Sequence, residues 1–295
     1  MKWVCLKKLG QLCSQFVKVI WKTVPWKMNH LLGQVLAFLW FDLFRIRRQV
    51  IFQNLEIAFP QMSLTQKKQI ARQSMVSMCR SFFDVMKIPS LTDAWIEKNV
   101  VFEGLEIIEK IKQQKQGVLF LTLHLGSGDL GAAVVSRKIW PCSLITKRFK
   151  NQFLDQFWFG LRGASETQFI DAHSERNAFD IFGALKKNRA VIFVLDQFMG
   201  KPYGIQSQFF GVETGTAYGL ALFALKTKKP VVPIYTYWDS TQKLHICWGE
   251  PVALSLDVSE TYEQMTNQFN LALEKIIQKH PEHWMWVHRR WKKFE

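Results

Sequence analysis

His124 and Asp129 stand five residues apart in His124-Leu125-Gly126-Ser127-Gly128-Asp129, directly after the apolar run Val118–Leu123. An imidazole at a strand end and a carboxylate at the mouth of the following helix can work as a dyad. The carboxylate fixes one ring tautomer, and the free nitrogen takes a proton from an attacking hydroxyl. On a continuous helix this spacing would place the two side chains about 140° apart. The intervening glycines let the chain turn so that both can face one cleft. Seven histidines among 24 acids also make such a spacing easy to meet by chance, and His245 to Glu250 is a second instance. His245 lies inside an alternating apolar strand, and its acid precedes Pro251. His124 sits at a strand-to-helix junction, so His124 with Asp129 is the catalytic candidate.

The same segment supports a competing reading. Gly126-x-Gly128-x-x-Gly131 matches a dinucleotide-binding fingerprint, with Lys147 and Arg148 beyond the next strand placed for a 2′-phosphate. Two residues separate the strand from the first glycine, and no acid ends the following strand, so a dinucleotide-dependent oxidoreductase is the alternative. There is no phosphate-binding Walker loop, no G-x-S-x-G elbow around Ser127 and no H-E-x-x-H helix. No cofactor and no metal is called for.

These residues need a scaffold that presents strand ends to one cleft. Strands are expected at Val118–Leu123, Ser143–Thr146, Gln168–Ile170, Val191–Leu195, Val231–Tyr237 and Leu244–Trp248. Helices are expected between most of them: Asp129–Lys138, Gln152–Arg162, Ser174–Lys187 and Thr216–Lys228. A long helix over Leu64–Met86 with caps near Ser63 and Thr65 precedes them, and a last one covers about Ser259–Lys279. The alternation predicts an α/β fold, a central mixed sheet flanked by helices.

The 295 residues are 48% hydrophobic and carry a formal charge of +15, with 12 Trp and 24 Phe. That charge asks for an anionic partner, and the aromatic load suits a membrane interface better than a nucleic-acid groove. No recognised nucleic-acid module is visible. Five cysteines without a C-x-x-C pair suggest neither a disulfide framework nor a zinc site, and a reducing, cytoplasm-facing location.

Residues 1–41 hold six lysines and no acid. Over Trp3–Trp21, helical periodicity groups Trp3, Leu6, Leu9, Cys13, Phe16, Val17 and Ile20 on one side. Lys7, Gln11, Ser14, Gln15, Lys18 and Lys22 fall on the other. This reads as a basic amphipathic helix lying in an anionic interface, the alternative being a helix docked on its own domain, within an anchoring segment 1–44 that precedes a catalytic domain 45–295. The apolar stretch Met28–Phe41 is too short for a firm membrane span. The tail from His283 to Lys293 interleaves Trp284, Trp286 and Trp291 with Arg289, Arg290, Lys292 and Lys293, which suits contact with a headgroup or an acidic carrier protein. Phe209-Phe210 could line an acyl pocket.

Seven landmarks in order give the chain a family resemblance over about residues 45–292. They are Arg48 with Asn54-Leu55 and Ala58-Phe59-Pro60, the His124–Asp129 motif, Arg162-Gly163, Asp196-Gln197, Phe209-Phe210-Gly211 with Thr216 and Gly219, Pro230-Val231-Val232-Pro233, and the tail Trp286–Lys292. Together they resemble the bacterial lipid A late acyltransferases, the lauroyl and myristoyl transferases of lipopolysaccharide biosynthesis. The resemblance implies a glycerolipid-acyltransferase-like core with an N-terminal membrane-associated helix at the cytoplasmic face of the bacterial inner membrane. It implies acyl carrier protein as donor and a phosphorylated lipid A precursor or related glycolipid as acceptor. It makes His124 the general base and Asp129 its partner, with Asn54, Arg162 and Asp196 binding substrate near them. Arg162 is the first candidate for a phosphate or the oxyanion. Members of that family typically have Asn-Trp-Glu where this chain has Ser127-Gly128-Asp129, so a different acceptor or acyl specificity stays open.

Overall fold

The computed structural model describes residues 2–254 and 261–295, with side chains from Leu6 onward. Helices α1 (Lys2–Thr23), α2 (Lys27–Ala37), α3 (Arg48–Ala58), α4 (Leu64–Lys87) and α5 (Asp93–Asn99) come first, with a π-helical turn at Phe38–Leu43. Strand β1 (Val100–Glu103), helix α6 (Leu105–Gln113), β2 (Val118–Thr122), α7 (Gly128–Lys138), β3 (Cys142–Thr146), α8 (Gln152–Arg162), β4 (Gln168–Asp171), α9 (Asn177–Lys186) and β5 (Ala190–Val194) then alternate. After a hairpin of β6 (Gly204–Phe209) and β7 (Val212–Ala217) come α10 (Gly219–Thr227), β8 (Val231–Trp238), β9 (Leu244–Trp248) and α11 (Tyr262–Lys279).

The main sheet runs β1-β9-β8-β2-β5-β3-β4, parallel throughout except for the antiparallel pair β8 and β9. Its central strands are apolar on both sides because both faces are covered. In β2, Leu119 and Leu121 point into a core shared with α10, α11 and the chain's end, while Val118 and Phe120 point into one shared with α6, α7 and α8. Helix α4 starts where expected, with Ser63 and Gln66 forming a reciprocal capping box. The start expected for the last helix at Ser259 lies outside the described residues.

Three strands lie outside the sequence expectation. β1 is a four-residue edge strand, and β6 and β7 are polar, with Gln206, Ser207, Gln208, Glu213 and Thr214. The hairpin turns at Phe210 and Gly211, both at positive φ (51° and 71°), the two-residue geometry that matches strand twist. Thr216, expected in a helix, belongs to β7, and Phe209-Phe210 pack on Trp291 in the core away from the His124 cavity.

The N-terminal helix departs from its expected packing in an informative way. α1 lies on α8 through a stripe of small residues: a Cβ added at Gly10 would sit 2.5 Å from the Phe153 carbonyl, and one at Gly160 would sit 2.6 Å from Ser14 Oγ. Ser14, expected on the polar side, is therefore buried, and Leu9, Leu12, Phe16 and Val19 stay exposed. Close backbone approach through small residues wins because it lets the two helices touch along their length. The buried Lys87 ammonium then caps the C-terminal end of α1 at the Trp21 and Val24 carbonyls. No helix among the described residues is long and apolar enough to cross a membrane.

The glycines of the would-be dinucleotide fingerprint have a packing role. A Cβ at Gly126 (φ +62°) would lie 2.1 Å from the Thr236 carbonyl, and one at Gly131 would lie 2.4 Å from Thr236 Cγ2. They let the His124 loop and α7 lie against β8, where Thr236 Oγ1 donates to the Leu125 carbonyl.

Candidate active site

β2 and β5 are neighbouring parallel strands in a register that pairs Thr122 with Val194. His124 and Asp196 are each two residues beyond that pair, so the sheet itself sets them side by side, at the carboxyl ends where such sheets bind ligands. His124 Nδ1 is 2.8 Å from Asp196 Oδ1, and the His124 amide donates to Asp196 Oδ2 at 3.0 Å. The Trp284 indole N–H donates to the same Oδ2 at 2.7 Å. Three donors on a carboxylate that is 2% exposed make it a fixed anion. Burial works against its charge, but the His124 ring, the Trp284 indole and the His124 amide together hold the carboxyl below its usual range.

The dyad expected between His124 and Asp129 is thus not the one the fold builds on the imidazole. Asp129 opens α7 and turns to Arg162 at the end of α8, with Asp129 Oδ1 2.6 Å from Arg162 Nη2. Arg162 is 6% exposed in its side chain and stacks over Phe169, 4.4 Å from the ring centre. Its guanidinium pairs with Asp129 through Nη2, while Nη1 reaches Thr146 Oγ1 at 3.5 Å. Asp129 still acts on His124 through space. Burial lowers the imidazole pKa, but the charge and hydrogen bond of Asp196 and the more distant charge of Asp129 raise it above the ordinary value. His30, His280, His283 and His288 all shift the other way, the last three down to about 4, chiefly through burial.

With Nδ1 committed to Asp196, Nε2 has no partner among the described residues, and the ring is 41% exposed. His124 lines a cavity of about 320 Å³ whose walls include Met78, Phe82, Leu144, Ile192 and Ile234. Its size lies at the lower end of the ~300–1,000 Å³ typical of ligand pockets. Asp129 and Arg162 also line it, and a Cβ added at Gly128 would meet nothing within 4 Å. The hydroxyl that would ordinarily cap α7 is diverted: Ser127 Oγ donates to the buried Asp84 at 2.6 Å and accepts from the Trp238 indole at 2.9 Å. Asp84 also accepts from Asn29 of α2 at 2.8 Å, so α2, α4 and the His124 loop share one buried polar junction.

Asn54 does not line the cavity. Its carboxamide nitrogen donates to the Trp286 and His288 carbonyls, both at 2.7 Å, and pins the C-terminal tail. That tail runs antiparallel beside the His124 loop: the Gly126 amide donates to the His283 carbonyl and the Met285 amide to the His124 carbonyl, each at 3.0 Å. Trp284 and Trp286 are buried, and Arg290 is buried against Gly215 and Thr216, so these three are structural struts, with Arg289, Lys292 and Lys293 left at the surface. Sequence reasoning missed Trp284 as an Asp196 partner, and it missed Asp84 and Ser127. A tryptophan in a basic tail and a serine between glycines carry no local signal of such roles.

An imidazole held by a buried acid at the strand ends of an α/β sheet, beside a cavity with apolar walls, is an arrangement that can accept a proton from a bound hydroxyl. Residues 5–293 match the family model described as bacterial lipid A biosynthesis acyltransferase, and the chain belongs to that family. It is 26% identical over 279 residues to the lipid A biosynthesis palmitoleoyltransferase of Escherichia coli K12, covering 92% of this chain and 88% of that one. It is also 26% identical over 283 residues to the lipid A biosynthesis lauroyltransferase of the same strain, covering 94% and 90%. The myristoyltransferase of that strain matches at 20% identity over 243 residues, covering 82% and 73%.

Proposed function

We propose that this acyltransferase moves a fatty acyl chain from an acyl carrier protein thioester to a hydroxyl of a lipid A precursor, at the cytoplasmic surface of the bacterial inner membrane. The observation that carries the reading is His124, with one nitrogen locked on buried Asp196 and the other free beside an apolar cavity.

His124 Nε2 removes the proton of the acceptor hydroxyl as its oxygen attacks the thioester carbonyl carbon. A tetrahedral oxyanion forms, and its collapse breaks the carbon–sulfur bond. The imidazolium returns the proton to the departing thiolate. Asp196 stabilises the imidazolium and keeps the ring in one tautomer, while Asp129 adds negative field and holds Arg162 in place. The first amides of α7 have no side-chain cap, and Gly128 leaves open space at the helix start, which suits the developing oxyanion. The apolar walls take the acyl chain. Asn54 acts as a positioning residue through the tail.

Action at a membrane is supported by the exposed apolar row Leu9, Leu12, Phe16 and Val19 on α1, and by Phe38, Leu43 and Phe44 after α2. Lysines border this row, and such a face binds an anionic bilayer surface without crossing it. The test is mass spectrometry of a lipid A precursor incubated with acyl-carrier-protein thioesters and the native chain or His124→Ala. One acyl chain gained with the native protein and absent with the variant is expected. Transfer that persists in the variant sinks the His124 mechanism, and no transfer by the native chain redirects the search to other acceptor lipids.

A further inference from the structure

Arg45, Arg47, Arg48 and, from the C-terminal tail, Arg289 line one open groove of about 970 Å³, together with Gln49 and Gln53. None of the four has a carboxylate partner among the described residues. Asp42, the acid nearest them in sequence, is taken by Arg72 at 2.8 Å. Four like charges gathered without an acid repel one another, and a bound anion relieves that repulsion.

Two of the arginines are held in place. Arg47 Nη1 donates to the Val287 carbonyl at 3.0 Å, and the Arg48 guanidinium lies over Phe41, 5.0 Å from the ring centre. Arg45 and Arg289 are exposed and free to close on a ligand. Planar guanidinium forks suit phosphate oxygens better than they suit a single point acceptor.

The surroundings say where that phosphate comes from. Exposed Leu43, Phe44 and Ile46 border the arginines in the chain, which places the groove at the edge of the apolar, membrane-facing surface. On its other side Arg289 follows His288, whose Nε2 accepts from the Phe198 amide at 3.1 Å, two residues from Asp196. The groove therefore joins a lipid-facing ridge to the tail that braces the catalytic loop. Arg162, the sequence candidate for phosphate, is already engaged by Asp129.

We propose that this arginine groove binds the phosphate group of a membrane-resident lipid, which in the acyl-transfer reading is the phosphorylated acceptor. The inference rests on that reading for the identity of the lipid, whereas its test does not depend on turnover. The full chain is sedimented with vesicles of phosphatidylcholine alone or with added phosphatidic acid. Native protein binds the phosphatidic acid vesicles more tightly, and Arg45→Gln/Arg289→Gln loses roughly ten- to thirty-fold on them while binding phosphatidylcholine unchanged. The charge-matched Lys186→Gln/Lys187→Gln variant keeps nearly native binding. Inorganic phosphate displaces the protein where chloride of equal ionic strength does not, which separates recognition of the phosphate group from general screening.

Equal losses in the two double variants, or equal displacement by phosphate and chloride, overturn the site. Failure of acyl transfer by the native chain would overturn the functional reading and leave this binding result standing. With an active acceptor, the groove variant raises KM and leaves kcat unchanged, because neither residue touches the reacting atoms.

Discussion

Two histidines in this molecule sit beside carboxylates, and their ring nitrogens are engaged differently. His245 on β9 has both ring nitrogens occupied, Nδ1 by Glu103 at 2.6 Å and Nε2 by Asp239 at 3.1 Å, and its ring stacks on Tyr237 with 14% of the side chain exposed. It fastens the β1 edge and the β8–β9 turn to the sheet. His124 has a single acid on one nitrogen and an apolar cavity beside the other. What separates His245 from His124, the base of the proposed mechanism, is thus the number of ring nitrogens left free, not the presence of an acid. Neither histidine bonds the acid five residues downstream that drew attention in the sequence: Asp129 pairs with Arg162, and the partners of His245 come from β1 and the β8–β9 turn.

The contrast is broken most strongly by Asp196→Asn. That substitution leaves the shape but can hold the wrong tautomer, so steady-state acyl transfer is expected to fall by about 10² to 10⁴. The pH profile separates this from simple misfolding. In the proposed mechanism the base works as neutral imidazole, so native kcat/KM is expected to rise through a limb above the ordinary histidine value, because Asp196 and Asp129 raise the pKa. In Asp196→Asn the effect of burial is no longer opposed by that charge, and the limb moves to lower pH. A limb that stays put would remove Asp196 as the orienting acid.

The same pair carries a stability signature with a fixed sign. A raised histidine pKa stabilises the fold fully below the unfolded value near 6.5, and the contribution is lost as pH rises through the folded value. The lowered Asp196 pKa stabilises above the unfolded carboxylate value, and that contribution is lost as acid protonates it. Denaturant midpoints of native protein and His124→Ala, compared between pH 5 and pH 9, are expected to converge toward the alkaline end.

Asp129→Ala should cost stability more than it reorients the imidazole. It leaves Arg162 buried and unpaired, and Asp129 is partly exposed, so the loss lies between the ~1 kcal/mol of a surface pair and the ~3–5 kcal/mol of a buried one. Calorimetry checks it, and full stability in the variant would show that Arg162 finds another partner. The smallest effect sharpens the contrast: His245→Gln should lose about 1–2 kcal/mol of stability and keep transfer within about twofold. A large loss of activity there would mean that the β1 edge reaches the site.

Local patterns carried much of the scaffold. Helix α8 and strand β9 fall on the expected residues, and α4 and α7 lie within one residue of their expected bounds. β1 was not legible because an edge strand of four half-buried residues has no full periodicity, and the β6–β7 hairpin was not because its polar residues imitate a loop. His124 was legible because a histidine at the end of an apolar run is a local event. Its bonded acid was visible only as a separate landmark.

By itself the sequence determined the periodicities, the basic and aromatic surface, the strand-end histidine and the family's ordered landmarks, all of which depend on neighbours along the chain. Tertiary structure decided the pairing of β2 with β5 across two intervening strands, and with it the meeting of residues 124 and 196. It also decided that Trp284 returns to complete the Asp196 site and that α1 turns its small residues inward. The physical reason is that apolar burial is non-directional: it commits a strand to the core without saying which strand lies beside it. The bonds that join Asp196 to His124 form only once that neighbour is chosen.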